Sequence, residues 1–82
     1  MSHRKTLDAL LSGTSDYNIR FTELTAMLKA MGFHERIRGS HHLYSRQGIR
    51  ELIDLQPEGG MAKAYQVRQV RKIFQNYNLN EV

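Results

Sequence analysis

A chain of 82 residues, 40% of them hydrophobic, is long enough for one small folded domain with a thin margin of stability. The absence of cysteine excludes disulfide bonds, thiol nucleophiles and cysteine-ligated zinc. A formal charge of +4 at pH 7 favours an acidic partner, either nucleic acid or an acidic protein, although a charge of this size also serves simply to keep a small domain soluble.

The N-terminal segment 1–17 is predicted to be a helical arm followed by a loop. Three leucines recur at i, i+3 and i+4 within Lys5–Leu11, which predicts a short helix with one apolar face, and Gly13 supplies a stop. The arm is expected to dock either on the main domain, residues 18–82, or on a partner.

Two longer helical patterns flank the middle of the chain. Phe21–Met31 carries a wide apolar stripe, and Gly32 stands where a helix needs a left-handed residue at its C-terminal end. Ala64–Tyr77 shows the same period, with Arg68 and Arg71 on another side of the helix. With Lys72 these arginines form a cluster for which a solvated helix face, expected for at least one of the three, competes with contact to an RNA backbone or to an acidic partner protein.

Between the helices the pattern changes to that of short strands separated by turn residues. The three predicted strands are 35–38, 41–45 and 49–55. Gly39-Ser40 and Arg46-Gln47-Gly48 form the turns, and Pro57-Glu58-Gly59-Gly60 is predicted to close the sheet as a loop, because proline cannot donate to a strand ladder. The order predicts an α+β two-layer domain, with two helices on one face of a three-stranded antiparallel sheet.

The candidate chemistry lies in the run Gly39-Ser40-His41-His42. Successive side chains of a strand point to opposite faces, so one of His41 and His42 is expected to reach a substrate, and the periodicity does not choose between them. Arginines at positions 36, 38 and 46 surround the pair and could hold phosphate.

Two other chemistries find little support around this run. Adjacent histidines on a strand diverge and have no further ligand at the right spacing, so no metal site and no cofactor are expected. Ser40 is a weak candidate nucleophile, because no nearby Asp or Glu is expected to be positioned to complete a triad. Acid–base catalysis by one imidazole remains, and it favours RNA, whose own 2′-OH supplies the nucleophile.

Gly39 and Lys63 each have a structural and a functional interpretation. Gly39 is either a turn glycine with positive φ or a place where an RNA backbone approaches the histidines, and both explanations can hold together. Lys63 follows a glycine pair that lacks any nucleotide-binding fingerprint, so it is expected at most to contact phosphate near a helix N-terminus.

Two blocks of the sequence resemble the HicA family of toxin ribonucleases from bacterial toxin–antitoxin pairs. The first is Gly-Phe-x-x-Arg-x-x-Gly-Ser-His-His-Leu-Tyr at 32–44, and the second runs from Asp54 to Arg71, so that the likeness covers most of 18–79. It implies a double-stranded-RNA-binding-like fold, metal-independent mRNA cleavage and neutralisation by a HicB-type antitoxin in a hetero-oligomer. It also implies that His41 is catalytic and that Gly39 matches the glycine of the family.

The chain departs from the family pattern at the place of a second histidine, which Glu58-Gly59-Gly60 occupies here, and Ala64 stands where relatives often have proline. Any second acid–base group would then be His42 or Lys63. The leading expectation is an mRNA-cleaving toxin in which His41, or else His42, acts as base or acid. Gly39, Ser40 and the arginines would bind RNA. The alternatives are a non-catalytic double-stranded-RNA-binding module and a protein that chiefly binds an acidic antitoxin.

No run of apolar residues approaches the roughly 20 that span a bilayer, and the N-terminal segment lacks the apolar stretch of a secretion signal. A cytoplasmic protein without membrane attachment is therefore expected.

Overall fold

Three helices and a three-stranded antiparallel sheet make up the fold of residues 2–82, the part of the chain that the computed structural model describes. This agrees with the predicted α+β class. The elements in chain order are α1 (His3–Ser12), α2 (Phe21–Ala30), β1 (His34–Arg38), β2 (His41–Ser45), β3 (Ile53–Leu55), β4 (Pro57–Glu58), β5 (Met61–Ala62) and α3 (Ala64–Asn76).

Helix α1 is an integral part of the core. Its N-terminal end is capped by the Ser2 side chain, which accepts a hydrogen bond from the Lys5 backbone N–H at 3.2 Å, and it ends at Gly13 with a left-handed φ of 74°. Leu7 and Leu10 are fully buried and belong to the same apolar cluster as the residues of α2 and α3. The arm therefore docks on its own domain.

The two ends of α2 are fixed in different ways. At the C-terminal end Gly32 has a φ of 91°, and the Phe33 N–H donates to the Leu28 carbonyl at 3.0 Å, which is the Schellman arrangement expected of Gly32. At the N-terminal end no side chain caps the helix. The Phe21 N–H instead donates to the Gly60 carbonyl at 3.0 Å, so the loop between β4 and β5 satisfies the first donor of α2.

Strand β2 lies in the centre of the sheet, between β1 and β3. A two-residue turn joins β1 to β2, and Gly39 takes a φ of 59° there, as the first position of such a turn requires. Tyr44, Ile53 and Leu55 point towards the helices and are buried. The side chains that alternate with them are largely exposed, so only one face of the sheet is covered within residues 2–82.

Two predictions about the segment after β2 are wrong. The third strand begins at Ile53 and not at Ile49, because the chain turns at Gly48 (φ 91°) and the Arg50 N–H donates to the Tyr77 hydroxyl instead of to β2. Pro57–Glu58 is not a plain loop either, since it pairs with Met61–Ala62 in a small hairpin. Proline is tolerated there because β4 pairs with β5 on one side only, whereas β5 is also bridged to Arg20 on its other side.

Helix α3 closes the core from the C-terminal side. Val67, Val70 and Phe74 are buried as its apolar period predicts, and the Phe74 ring stacks on Phe33 with centroids 6.3 Å apart. None of the helices within residues 2–82 is long and apolar enough to cross a membrane.

Leu10→Ala is expected to lower the free energy of unfolding by about 2–5 kcal/mol, because it leaves a cavity between α1 and the rest of the core. Urea unfolding at neutral pH measures the loss. Leu52→Ala is the matched control, since Leu52 is 58% exposed and its truncation is expected to change stability by less than about 0.5 kcal/mol. Equal stabilities for the Leu10 variant and the wild type would show that α1 adds nothing to the core.

Candidate active site

The open face of the sheet carries three of the residues to which the sequence assigns chemistry, Arg36, Arg38 and His41. This face is defined by Arg36 and Arg38 on β1, His41 and Leu43 on β2, and Asp54 on β3. Arg38 pairs directly with His41, and Leu43 stands between Arg36 and Asp54 in the ladder. The face is thus basic along β1 and has one imidazole and one carboxylate beyond it.

His41 is held by a carboxylate from the neighbouring strand. Its Nδ1 lies 3.0 Å from both Oδ1 and Oδ2 of Asp54, across the diagonal of the β2–β3 pair. Both side chains are about half exposed. A carboxylate at Nδ1 favours the tautomer with its proton on Nδ1, which leaves Nε2 as the basic nitrogen.

The other nitrogen of His41 faces a short polar chain centred on Gln56. The Gln56 Nε2 lies 3.4 Å from His41 Nε2 and donates to Ser40 Oγ at 3.1 Å. On its other side Gln56 Oε1 accepts from Lys63 Nζ at 3.3 Å. The ammonium group of Lys63 therefore orients the amide so that its NH₂ end points at Ser40 and His41.

The backbone of Gln56 is also fixed, because its N–H donates to the side-chain oxygen of Gln66 at 3.0 Å. Gln66 is buried on the first turn of α3. This bond ties the chain after β3 to the start of α3, so the distance between Lys63 and His41 is set by the packing of the helix on the sheet.

Ser40 is not part of a catalytic triad in this arrangement. The expectation that no carboxylate lies nearby is wrong, because Asp54 contacts His41. The Ser40 hydroxyl nevertheless bonds to the Gln56 amide, which also faces His41 Nε2, and not to the imidazole. A Cβ atom added to Gly39 would meet no atom within 4 Å, so the space beside the turn is open. Glycine is required at this position because φ is positive.

His42 points to the opposite face of the sheet. Its ring packs edge-on against Phe21 with centroids 4.9 Å apart, and its side chain is 22% exposed. Its Nδ1 is buried without a hydrogen bond, 3.8 Å from Glu35 Oε2. The alternation expected along the strand is present, and it separates His42 from the polar groups around His41.

Glu35 and Tyr44 form a second polar contact on this covered face. The Tyr44 hydroxyl donates to Glu35 Oε2 at 2.6 Å. This hydrogen bond lowers the pKa of the Glu35 carboxyl. The pKa of the Tyr44 hydroxyl is raised, mainly by burial and to a smaller extent by the same hydrogen bond. The contact anchors Tyr44, the fully buried residue of β2, to the neighbouring strand.

The predicted phosphate-binding arginines are divided among three places. Arg36 and Arg38 share the open face with His41. Arg46 follows the far end of β2, where its guanidinium lies 5.8 Å above the ring centre of Phe33. It therefore stacks on the core at a distance from His41 and does not join the group around the imidazole.

Arg71 and Arg68 meet at Asp16 in the loop after α1. Arg71 donates to Asp16 Oδ1 at 2.7 Å and to Oδ2 at 3.1 Å, and its Nη1 also bonds to the Leu10 carbonyl. The Arg71 hydrogen bond holds the pKa of the Asp16 carboxyl below its usual range. Arg71 is thus a structural link between α1 and α3, whereas Arg68 is half exposed and 4.0 Å from Asp16.

Sequence reasoning missed Asp54 and Gln56 as members of the site. The two residues alternate at the end of β3, and that spacing would have indicated a shared face. Their position beside His41 depends on the β2–β3 register, which pairs His42 with Leu55, and the predicted third strand was too long to give that register.

The chain matches no protein-family model, no curated protein and no solved structure. Within residues 2–82 no three His, Asp or Glu side chains lie close enough together to hold a metal ion. The side chains at the site that could bind or react with a substrate are His41, Asp54, Gln56 and Lys63. Arg36 and Arg38 lie on the same face of the sheet as His41.

Asp16→Asn is expected to lower the free energy of unfolding at pH 7 by about 1.5–3 kcal/mol, because it weakens the hydrogen bonds to Arg71. The pKa of the Asp16 carboxyl is lower in the folded protein than in the unfolded chain. Its stabilisation is therefore fully present above the unfolded-state pKa of about 3.9 and is lost as the pH falls through the lower folded-state value.

Urea unfolding of wild type and variant from pH 7 to pH 2 measures this difference, which is expected to shrink below about pH 4. Asp8→Asn is the control, because Asp8 pairs with Arg4 on an exposed face of α1. A difference between wild type and the Asp16 variant that does not depend on pH would contradict the role of the charge.

Proposed function

We propose that the protein is a ribonuclease toxin of the HicA type, which cleaves mRNA by acid–base catalysis at His41. The observation that carries the proposal is the pair formed by His41 and Asp54, 3.0 Å apart on the open face of the sheet. A half-exposed imidazole with a carboxylate behind it is equipped to remove a proton from a substrate that lies on this face.

The proposed reaction uses the RNA's own 2′-oxygen as the nucleophile. Nε2 of His41 removes the 2′-OH proton, O2′ forms a bond to the adjacent phosphorus, and the bond from phosphorus to O5′ breaks. The products are a 2′,3′-cyclic phosphate and a 5′-hydroxyl end, so no water is consumed in this step. The leaving O5′ takes a proton from a second group, for which Lys63 is the candidate, since one Gln56 amide bridges it to His41.

Charge on the phosphate is balanced by the basic strand beside the imidazole. Arg36 and Arg38 are exposed on the face that carries His41, and their planar guanidinium groups suit phosphate oxygens. The Gln56 amide adds a donor next to Nε2. His42 has no part in this proposal, because it packs against Phe21 on the covered face.

The wider biological role is proposed from the resemblance of the sequence to the HicA family. The order α2, three strands and α3 is compatible with the double-stranded-RNA-binding-like fold of that family. In this proposal the protein acts in the cytoplasm, where it cleaves mRNA, and a HicB-type antitoxin neutralises it in a hetero-oligomer. The formal charge of +4 is compatible with both an RNA substrate and an acidic antitoxin.

His41→Ala is expected to lower the rate of RNA cleavage in EDTA by about 10²–10⁴-fold, because it removes the general base. Cleavage of a purified mRNA is followed by gel, and the ends are identified by their chemistry. His34→Ala is the matched control, since His34 is an exposed histidine on β1. Bacteria that express the His41 variant are expected to grow normally, whereas bacteria that express the His34 variant are expected to stop growing, as with the wild type. Intact RNA after incubation with the folded wild type in EDTA would contradict the mechanism.

Asp54→Asn is expected to lower kcat by at least about tenfold with little change in KM, because the amide no longer favours a proton on His41 Nδ1. Steady-state cleavage of a labelled oligoribonucleotide separates the two parameters. Asp8→Asn, on the exposed surface of α1, is the control and is expected to behave as wild type. A rise in KM at constant kcat would make Asp54 a binding residue and not one that positions the imidazole.

A non-catalytic RNA-binding module is the alternative, favoured by the exposed Arg36 and Arg38, which need no imidazole to hold a phosphate backbone. A binder would bind RNA with wild-type affinity after His41→Ala and would show no cleavage in either form. A catalyst would keep that affinity and lose its cleavage.

A further inference from the structure

A cleft of about 410 Å³ opens beside the site, between the loop after α1, the β4–β5 hairpin and the start of α3. Its volume falls in the range of sites that hold small organic groups. Its lining includes Ala62 and Ala64, whose side chains take up little space. No residue of the cleft takes part in the proposed reaction except Lys63.

Two exposed tyrosines stand at this cleft. Tyr17 is 75% exposed and Tyr65 is 50% exposed, and both are among the lining residues. Single exposed aromatic side chains are common on protein surfaces and need no explanation. Two exposed aromatic side chains at one concave place are what a protein uses to stack an unpaired nucleic-acid base.

The same cleft has cations on its lining. Lys63 and Arg68 both border it, and Arg68 retains donors for a further partner because it lies 4.0 Å from a carboxylate that Arg71 already holds with two hydrogen bonds. Glu58 is the acidic residue of the lining. A phosphate is therefore favoured close to Lys63 and Arg68 and disfavoured close to Glu58, where an uncharged base is the better neighbour.

A chain of hydrogen bonds joins the cleft to His41. The Tyr65 hydroxyl accepts from Gln66 Nε2 at 3.4 Å, and Gln66 Oε1 accepts from the Gln56 N–H at 3.0 Å. The Gln56 side chain in turn reaches His41 Nε2 at 3.4 Å and Lys63 Nζ at 3.3 Å. Lys63 at the cleft is thus one side-chain amide away from the imidazole, and Tyr65 is two away, so neighbouring nucleotides of one strand can reach both places.

We propose that this cleft binds the unpaired base of a nucleotide next to the scissile phosphate, and that the substrate is single-stranded RNA. A base inside a duplex has both faces stacked and cannot lie on a tyrosine ring. The proposal rests on the function proposed above and adds the substrate class and the residues that select it.

The test uses a single-stranded oligonucleotide whose 2′-O-methyl groups replace the 2′-OH nucleophile, so that it can bind but cannot be cleaved. One of its bases is the fluorescent 2-aminopurine. Binding to the wild-type protein is expected to quench its fluorescence by stacking. Tyr17→Ala and Tyr65→Ala are each expected to weaken binding by roughly tenfold or more and to remove the quenching, because base–aromatic stacking is lost. Tyr65→Phe keeps the ring and is expected to bind as wild type.

Tyr77→Ala is the matched control, since Tyr77 follows the far end of α3 and bonds to Arg50 and Glu51. It is expected to bind as wild type, and thermal unfolding of every variant checks that it is folded. Binding and quenching unchanged in both cleft variants, or tighter binding of the same oligonucleotide as a duplex, would overturn the proposal.

Cleavage assays on the same variants distinguish this proposal from the proposed function. RNA that stays intact with the wild type, together with tyrosine-dependent quenching, would reject the nuclease and support the cleft as a site for single-stranded RNA. Normal cleavage by the cleft variants with unchanged binding would reject the cleft and leave the nuclease standing.

Discussion

The central position of β2 in the sheet determines where the chemical groups of this protein lie. Because β2 pairs with β1 along its whole length and with β3 through residues 42–44, side chains from both neighbouring strands lie beside it. His41 therefore has Arg38 opposite it on β1 and Asp54 diagonal to it on β3, while the next residue, His42, faces the helices. A shift of either pairing by one residue would turn the carboxylate or the arginines to the other face and would dismantle the site.

The covered side of the same strand holds the sheet to the helices. Tyr44 is fully buried and donates a short hydrogen bond to Glu35, so the hydroxyl is satisfied inside an apolar layer. His42 fills the space beside Phe21, with one nitrogen left without a hydrogen bond. This side gives β2 a fixed orientation, and a fixed orientation is what an imidazole on the opposite side needs in order to meet a substrate at a constant angle. The contacts that stabilise the fold and the groups of the proposed active site thus lie on opposite faces of one strand.

The β4–β5 hairpin and the loop after α1 add the second half of the proposed substrate site. The hairpin gives the Gly60 carbonyl to the first N–H of α2, and the Arg71–Asp16 pair fixes the loop after α1 to α3. Tyr17, next to Asp16, is held beside the start of α3 by these contacts. The arm at the N-terminus therefore matters for the cleft as well as for the core. The family resemblance in the sequence covers most of 18–79 and does not include this arm.

The sequence by itself determined the elements with strong local signals. The apolar periods gave three helices, Gly32 and Gly39 marked a helix end and a turn by their need for positive φ, and alternation along β2 separated His41 from His42. The tertiary structure decided which neighbours His41 acquired. Asp54 and Gln56 are 13 and 15 residues away from His41 in the sequence. Contacts at such separations depend on strand register and helix packing, which local periodicity does not reveal. The same reason explains Arg71, which looks like a surface cation in the sequence and is bound to Asp16 in the fold, 55 residues away.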